Sequence, residues 1–231
     1  MAQIGKLNAA KAALAEVKNG QVIGVGTGST VAIFIELLGK KVKEEGWDVL
    51  CVPTSYQSAY LAIENGLRLT TLDEHPVLDL AVDGADEVDA DLNLIKGGGA
   101  ALTREKIVDG SAKRFVVVAD KTKLVAALGE KFPVPIEVIP LARKTASMRI
   151  AMLGGDPKLR DGGDRKDGPL VTDNGNFIID AKFSPVKDPR SLEFELKRIP
   201  GVVEAGLFVH LAHTAYIGDD CGVQRIDRRR E

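Results

Sequence analysis

The sequence predicts an α/β protein: a parallel sheet covered by helices on both faces, followed by a smaller α+β unit of ferredoxin-like order. Three observations carry this. Short apolar runs alternate with helical patterns from Leu7 to Ala119, the signature of βαβ units. The run Phe115-Val116-Val117-Val118-Ala119 has no polar break, as expected of a strand buried on both faces. Finally, Phe132-Pro133-Val134-Pro135, with Pro140 close behind, ends that rhythm. The signals beyond it follow the order β-α-β-β-α-β.

Taken in order, Leu7, Ala10, Leu14 and Val17 recur at three- and four-residue steps, an amphipathic helix closed by Asn19-Gly20. Gln21 to Val25 is a short strand, and Val31, Phe34, Ile35 and Leu38 mark the inner face of the next helix. Asp48 to Val52 is a second strand. Thr54 or Ser55 caps a helix with apolar Tyr56, Ala59, Tyr60 and Ile63, ended by Asn65-Gly66. Strands at Leu67–Leu69 and Leu78–Val82 and a helix from Ala100 to Ser111 precede the Phe115 strand. In the second part, strands are expected at Ile136–Ile139, Leu170–Thr172, Asn176–Asp180 and Val202–Phe208, with helices at Leu141–Leu153 and Ser191–Ile199. Asn174-Gly175 is a hairpin turn. Gly154 to Pro169, rich in Gly, Asp, Lys and Arg, reads as an exposed, mobile loop. Thr214 to Gly218 rejoins the first sheet, so residues 1–130 and 209–231 form one domain and 131–208 the other.

Composition narrows the function. At 231 residues, 45% apolar and 28% charged, the chain is an ordinary globular protein able to bury a substantial core. A net charge of -2 argues against a nucleic-acid binder. The one basic cluster, Asp227-Arg228-Arg229-Arg230-Glu231, reads as a solvated end. No apolar run nears the roughly 18 residues of a membrane span. No signal core opens the chain, and two cysteines make neither a disulfide framework nor a metal cluster. A cytoplasmic protein is expected. His210 and His213 lack an evident third ligand, so no metal site is assigned.

Two stretches suggest chemistry. In Gly24-Val25-Gly26-Thr27-Gly28-Ser29-Thr30 a strand passes through a glycine turn into a helix, aiming N–H groups and hydroxyls at an anion. The Gly-Lys-Ser/Thr ending of a nucleotide P-loop is missing, and so are the third glycine and strand-end acid of a dinucleotide site. A single phosphate suits the loop; a purely structural tight turn is the alternative. The second stretch is Ala81 to Lys106. It holds Asp83-Gly84-Ala85-Asp86 at a strand end, then Lys96-Gly97-Gly98-Gly99, then Glu105 on a helix. Aspartate and glycine are also common turn residues, but their crowding suits proton transfer on a small sugar phosphate. A carboxylate removes a proton next to a carbonyl, and the enediolate needs Lys96 or the amides of Gly97 to Gly99 nearby. Asp83 and Asp86 are placed to hold sugar hydroxyls. Spacing alone leaves open whether Glu105 is the base or a surface helix residue.

The motifs Gly26-Thr27-Gly28-Ser29-Thr30, Asp83-Gly84-Ala85-Asp86-Glu87 and Lys96 through Lys106 closely resemble those of ribose-5-phosphate isomerase type A. So do Val138-Ile139-Pro140, Thr172-Asp173-Asn174-Gly175-Asn176 and Pro200-Gly201-Val202-Val203. The resemblance implies a Rossmann-like first domain, a smaller α+β second domain and assembly as a homodimer or homotetramer. It also implies interconversion of D-ribose 5-phosphate and D-ribulose 5-phosphate in the pentose phosphate pathway, with no metal or organic cofactor. Glu105 is then the proton acceptor, assisted by Lys96, Asp83 and Asp86. Thr27, Gly28, Ser29, Thr30, Asp83, Gly84, Ala85, Asp86, Lys96, Gly97, Gly98, Gly99 and Lys123 bind substrate, and Lys6 lies near the phosphate. The match is weakest over Asp156–Pro169, which bears on assembly or surface, not chemistry. A sugar-phosphate sensor of similar fold needs no base, and an aminosugar-phosphate deaminase relies on a histidine; His75, His210 and His213 all lie outside the motifs.

Overall fold

The computed structural model describes residues 2–164 and 166–228. It divides into two compact units: residues 1–85, 104–123 and 210–231 in the first, and 86–103 and 124–209 in the second.

The first unit is built on a seven-stranded sheet in the order β14-β13-β7-β4-β1-β2-β3. Strands β1 (Val22–Val25), β2 (Leu50–Pro53), β3 (Arg68–Leu69), β4 (Leu80–Asp83), β7 (Phe115–Asp120) and β13 (Thr214–Asp219) run parallel, and β14 (Gly222–Asp227) returns antiparallel at the edge. From β1 the chain winds outward through β2 to β3, and from β4 it winds the other way, so the winding reverses between β1 and β4. Such a switch point opens a crevice at the carboxyl ends of the strands. The central strands are buried throughout, as their unbroken apolar runs require.

Helices α1 (Ala2–Leu14), α2 (Ser29–Glu45) and α3 (Tyr56–Glu64) follow the expected order. On α2 the inner face contains Val31, Phe34, Ile35 and Leu38, all buried. Helix α1 ends at Leu14, short of the expected Asn19-Gly20; a turn from Ala13 to Val17 still buries Val17. It packs on β13 so closely that a Cβ on Gly5 or Gly218 would strike the other's backbone. The Tyr216 hydroxyl donates to Glu16 at 2.5 Å, and Asn8 Nδ2 to the Asp219 carbonyl at 2.9 Å. On α3 the buried residues are Ser58 and Ala62, while Tyr56, Tyr60 and Ile63 face outward. The C-terminal stretch is not simply a solvated end: β14 includes Asp227, which accepts from Thr214 at 2.6 Å, and Arg228 donates to the His210 carbonyl. Arg229, Arg230 and Glu231 lie outside the described residues.

In the second unit β8 (Val134–Val138), β9 (Asp156–Leu159), β10 (Phe177–Lys182) and β11 (Val202–Ala205) form an antiparallel sheet in the order β11-β8-β10-β9. Helices α5 (Arg143–Met152) and α6 (Pro189–Lys197) complete the ferredoxin-like unit. Its second strand is not Leu170–Thr172, which makes only an isolated bridge at Val171, but β9, inside the stretch expected to be a mobile loop. As an edge strand, β9 can carry Pro157 and outward charges without disturbing a ladder. The expected strand Val202–Phe208 splits at Gly206 into β11 and β12 (Leu207–Phe208). There a Cβ would strike the Lys96 carbonyl and Pro135, so glycine is required. Strand β12 pairs with β6 (Leu94–Ile95), and β6 with β5 (Glu87–Val88). Helix α4 spans Leu102–Gly110.

Candidate active site

In the first unit the site residues stand at the carboxyl ends of β1, β4 and β7, three neighbours in the sheet. The end of β1 is tied to the end of β4. Gly26 N–H donates to the Val82 carbonyl at 3.0 Å, and Thr27 N–H to Asp83 Oδ1 at 3.0 Å. The same oxygen accepts from Gly84 N–H at 2.6 Å, and Asp83 is 0% exposed. Any Cβ on Gly26 would collide with this carboxylate, which explains the glycine.

Beyond Thr27 the loop enters α2 with Gly28 as N-cap at φ 110°, a conformation that favours glycine. The first N–H groups of a helix have no intrahelical acceptor, and no acidic residue occupies this first turn. The 17-residue helix therefore presents the positive end of its dipole to the loop. Lys6 Nζ donates to Ser29 Oγ at 2.9 Å, so the basic residue expected near the phosphate does reach the loop. Sequence reasoning missed what lies behind it. The Thr27 hydroxyl meets Thr54 Oγ1 at 2.8 Å and donates to Ser55 Oγ at 2.7 Å, and Gly28 N–H donates to Gln57 Oε1 at 3.1 Å. The signal was available: Pro53-Thr54-Ser55 ends β2, the strand beside β1, so its polar residues arrive at the same sheet edge.

Glu105 lies in the first turn of α4 and is only 5% exposed, so it is not a surface helix residue. Beside it, the Arg104 guanidinium rests over the Tyr56 ring at 5.1 Å. Lys123, half-buried, ends a short 3-10 turn after β7. Asp120 shapes that turn by accepting from the Thr122 N–H at 3.0 Å and from its hydroxyl.

The second unit contains Asp86 and the Lys96–Gly99 stretch. Asp86 N–H donates to the Ile95 carbonyl at 2.8 Å, at the start of the β5–β6 hairpin. Lys96, at its end, is 2% exposed; its N–H donates to the Gly206 carbonyl at 2.9 Å, and its ammonium lies 5.4 Å from the Phe208 ring centre. Gly97 to Ala100 form a turn closed by Ala100 N–H on the Gly97 carbonyl at 2.9 Å, with Gly97 at φ 110°. Gly98 N–H donates to Asp86 Oδ2 at 2.7 Å, so hairpin and turn are fastened to each other. Two buried glutamates brace the unit. Glu87 accepts from the amides of Gly129, Lys131 and Phe132 at 2.6, 2.6 and 2.7 Å. Glu137 accepts from Thr103, Thr172, Asn174 and Asn176.

Elsewhere, His213 Nδ1 accepts from Phe115 N–H at 3.0 Å, and burial, with Arg228 and Arg114 nearby, lowers its pKa. Among the described residues no group of three or more His, Cys, Asp or Glu is disposed to hold a metal ion, and no helix is long and apolar enough to cross a membrane.

The chain matches known proteins along most of its length. Residues 50–222 match the family model of ribose 5-phosphate isomerase A (phosphoriboisomerase A). The ribose-5-phosphate isomerase A of Methanosarcina acetivorans is 53% identical over 220 residues, 95% of this chain and 92% of that protein. Among solved structures, a D-ribose-5-phosphate isomerase in complex with phospho-erythronic acid superposes with a TM-score of 0.96 at 49% identity, covering 99% of this chain and 100% of that one. Ribose 5-phosphate isomerase A from Methanocaldococcus jannaschii gives 0.92 at 48% identity, covering 96% and 97%.

Proposed function

Because the chain belongs to the ribose 5-phosphate isomerase A family, and is thus an aldose–ketose isomerase of ribose 5-phosphate, we propose how its residues divide the work. The substrate phosphate is held by Thr27, Gly28, Ser29 and Thr30 at the start of α2, with Lys6 adding positive charge. Glu105 is the base. It takes the proton from C2 of the open-chain aldose and returns it to C1, while a second proton passes from O2 to O1. Lys96 and the amides of Gly97 and Gly99 stabilise the enediolate formed between these steps, while the Gly98 amide holds Asp86. Asp83, Gly84, Ala85 and Asp86 hold the sugar hydroxyls, and Lys123 is a further substrate contact. No step calls on a metal or an organic cofactor.

One observation carries the reading. The first unit pairs a cradle suited to one phosphate with a carboxylate that is almost wholly buried on the first turn of a helix. A rigid element holds such a base better than a turn would, and a surface glutamate would not be shielded from water in this way. A homodimer or homotetramer in the cytoplasm completes the proposal. Exposed Leu141, Met148 and Met152 on one stretch of the second unit support assembly, and two free cysteines suit a reducing compartment. The test is a spectrophotometric assay of ribose 5-phosphate conversion by wild type and Glu105→Gln. Turnover in the wild type that survives the substitution would remove Glu105 from its role.

A further inference from the structure

Arg160 follows β9, in the stretch that reads from sequence as surface, yet its side chain is only 14% exposed. Its guanidinium forms a fork with Asp180 on β10: Nε donates to Oδ2 at 2.8 Å and Nη2 to Oδ1 at 2.5 Å. The backbone is held as well, since Arg160 N–H donates to the Ile178 carbonyl at 2.8 Å. A guanidinium is planar and rigid, so a double bond to Asp180 also fixes the direction of Nη1. That nitrogen donates to two consecutive carbonyls of the glycine turn, Gly97 at 2.9 Å and Gly98 at 3.1 Å.

In a trans peptide the C=O and N–H point in opposite directions. A Gly97 carbonyl fixed on Arg160 therefore sends the Gly98 N–H the other way, where it meets Asp86 Oδ2. A Gly98 carbonyl fixed on the same nitrogen sends the Gly99 N–H away from Arg160 in turn. Glycine is conformationally permissive, so the sequence of the turn does not by itself choose between the two orientations of each plane. The flipped planes would offer partially negative carbonyl oxygens where the reaction builds negative charge. Asp180 neutralises the guanidinium, so Arg160 acts on the turn through geometry.

We propose that Arg160, held by Asp180, is a positioning residue of the isomerisation. It selects the peptide orientation in which the turn presents the Gly99 N–H to the enediolate, and it fixes Asp86 through the Gly98 amide. This rests on the isomerase reading above, because it presumes that the turn faces developing charge.

The test is Arg160→Met, which keeps an unbranched stem and removes every donor. Its kcat should fall by about 10- to 100-fold, somewhat less than deletion of an oxyanion-hole donor costs. Its KM should move by less than about threefold. The dissociation constant of phospho-erythronic acid, whose carboxylate supplies an anion next to a sugar hydroxyl, should rise in step with the fall in kcat. Arg160→Lys, with charge but no fork, should recover only part of the loss. A merely structural role lowers the melting temperature and the active fraction but leaves the dissociation constant of phospho-erythronic acid in the folded fraction unchanged; that result overturns the proposal. If Arg160→Met does not fold, Asp180→Asn is read by the same three measurements. Glu105→Gln serves as control. If it turns over normally, the assignment of Glu105 as base is at fault; if wild type itself does not convert ribose 5-phosphate, the isomerase reading is at fault; if Glu105→Gln is inactive while Arg160→Met matches wild type, only the positioning role is lost.

Discussion

Asp83 Oδ1 accepts the N–H of Thr27 at 3.0 Å, so a side chain at the end of β4 sets the backbone of the loop that leaves β1. The carboxylate thus does more than the sugar-hydroxyl contact its place in the motif suggests. It organises the Thr27–Thr30 loop from the neighbouring strand. Asp83→Asn keeps an oxygen able to accept from both Thr27 and Gly84, whereas Asp83→Ala leaves both amides without it. The alanine variant should lose about 1–3 kcal/mol per orphaned donor and show a raised KM for ribose 5-phosphate. The asparagine variant should hold its stability while kcat falls. Urea unfolding alongside steady-state kinetics separates the two, and equal destabilisation of both variants would remove the loop-setting role.

Glu105 as base predicts exchange as well as turnover. A carboxylate that has taken the C2 proton can lose it to solvent before returning it to C1. In deuterium oxide, wild type should incorporate deuterium into the product. Glu105→Gln should abolish incorporation, with kcat at least about 100-fold lower and the affinity for phospho-erythronic acid little changed. Persistent incorporation would assign the proton to another group.

Glu137 should tolerate one change and not another. Its Oε1 accepts from Thr172, Asn174 and Asn176 at 2.9, 3.0 and 2.9 Å, while Oε2 accepts from the Thr103 hydroxyl. A glutamine can keep its oxygen toward the first three and turn its NH2 toward Thr103, whose hydroxyl rotates to accept. Glu137→Gln should therefore cost about 1 kcal/mol and Glu137→Leu more than about 3 kcal/mol, since the latter strands several buried donors. Denaturant midpoints check the ranking.

Acid stability should depend in part on Asp79. The Lys113 ammonium, 2.8 Å away, and then the Val22 N–H hold its carboxyl below the usual carboxylate range. A group depressed in the folded state stabilises above its unfolded pKa of about 3.9, and that contribution is lost as pH falls through the lower folded value. Asp79→Asn should be the less stable protein at neutral pH, and the gap should close below about pH 4. Unfolding curves from neutral pH down to pH 3 test this, and a constant gap would contradict it.

The two thiols should react very differently. Burial pushes the Cys51 thiol up to about 12, so it stays protonated at neutral pH, whereas Cys221 is exposed. An aromatic disulfide reagent should titrate Cys221 alone in the native protein and Cys51 only after unfolding. Fast reaction of both thiols in the native state would place Cys51 at the surface.

Much of this arrangement was legible in the residues. Val31, Phe34, Ile35 and Leu38 announced the buried face of α2, and the Gly26–Thr30 and Asp83–Asp86 motifs stood where parallel strands end. Strands β5 and β6 were not legible, since two residues have no periodicity to read. Strand β9 was hidden because Asp-Pro-Lys-Leu has the composition of a loop, and only its pairing with β10 makes it a strand. The same cause concealed Arg160. Its partners in the glycine turn lie more than 60 residues away, and no local pattern marks an arginine that will reach them. Gln57 and Glu137 likewise acquire their roles only through contacts that folding creates.

The seat of α1 on β13 has a consequence for the ribosome. The Glu16–Tyr216 bond joins residues 200 positions apart, and Gly5 meets Gly218 across a gap that admits no side chain. During vectorial synthesis α1 is made long before β13 and must wait for that strand before its apolar face is fully covered. Until then its buried alanines, Ala9, Ala10 and Ala13, have only α2 and the early strands to shelter them. The nascent chain is thus kept from completing its main core until β13 has been made.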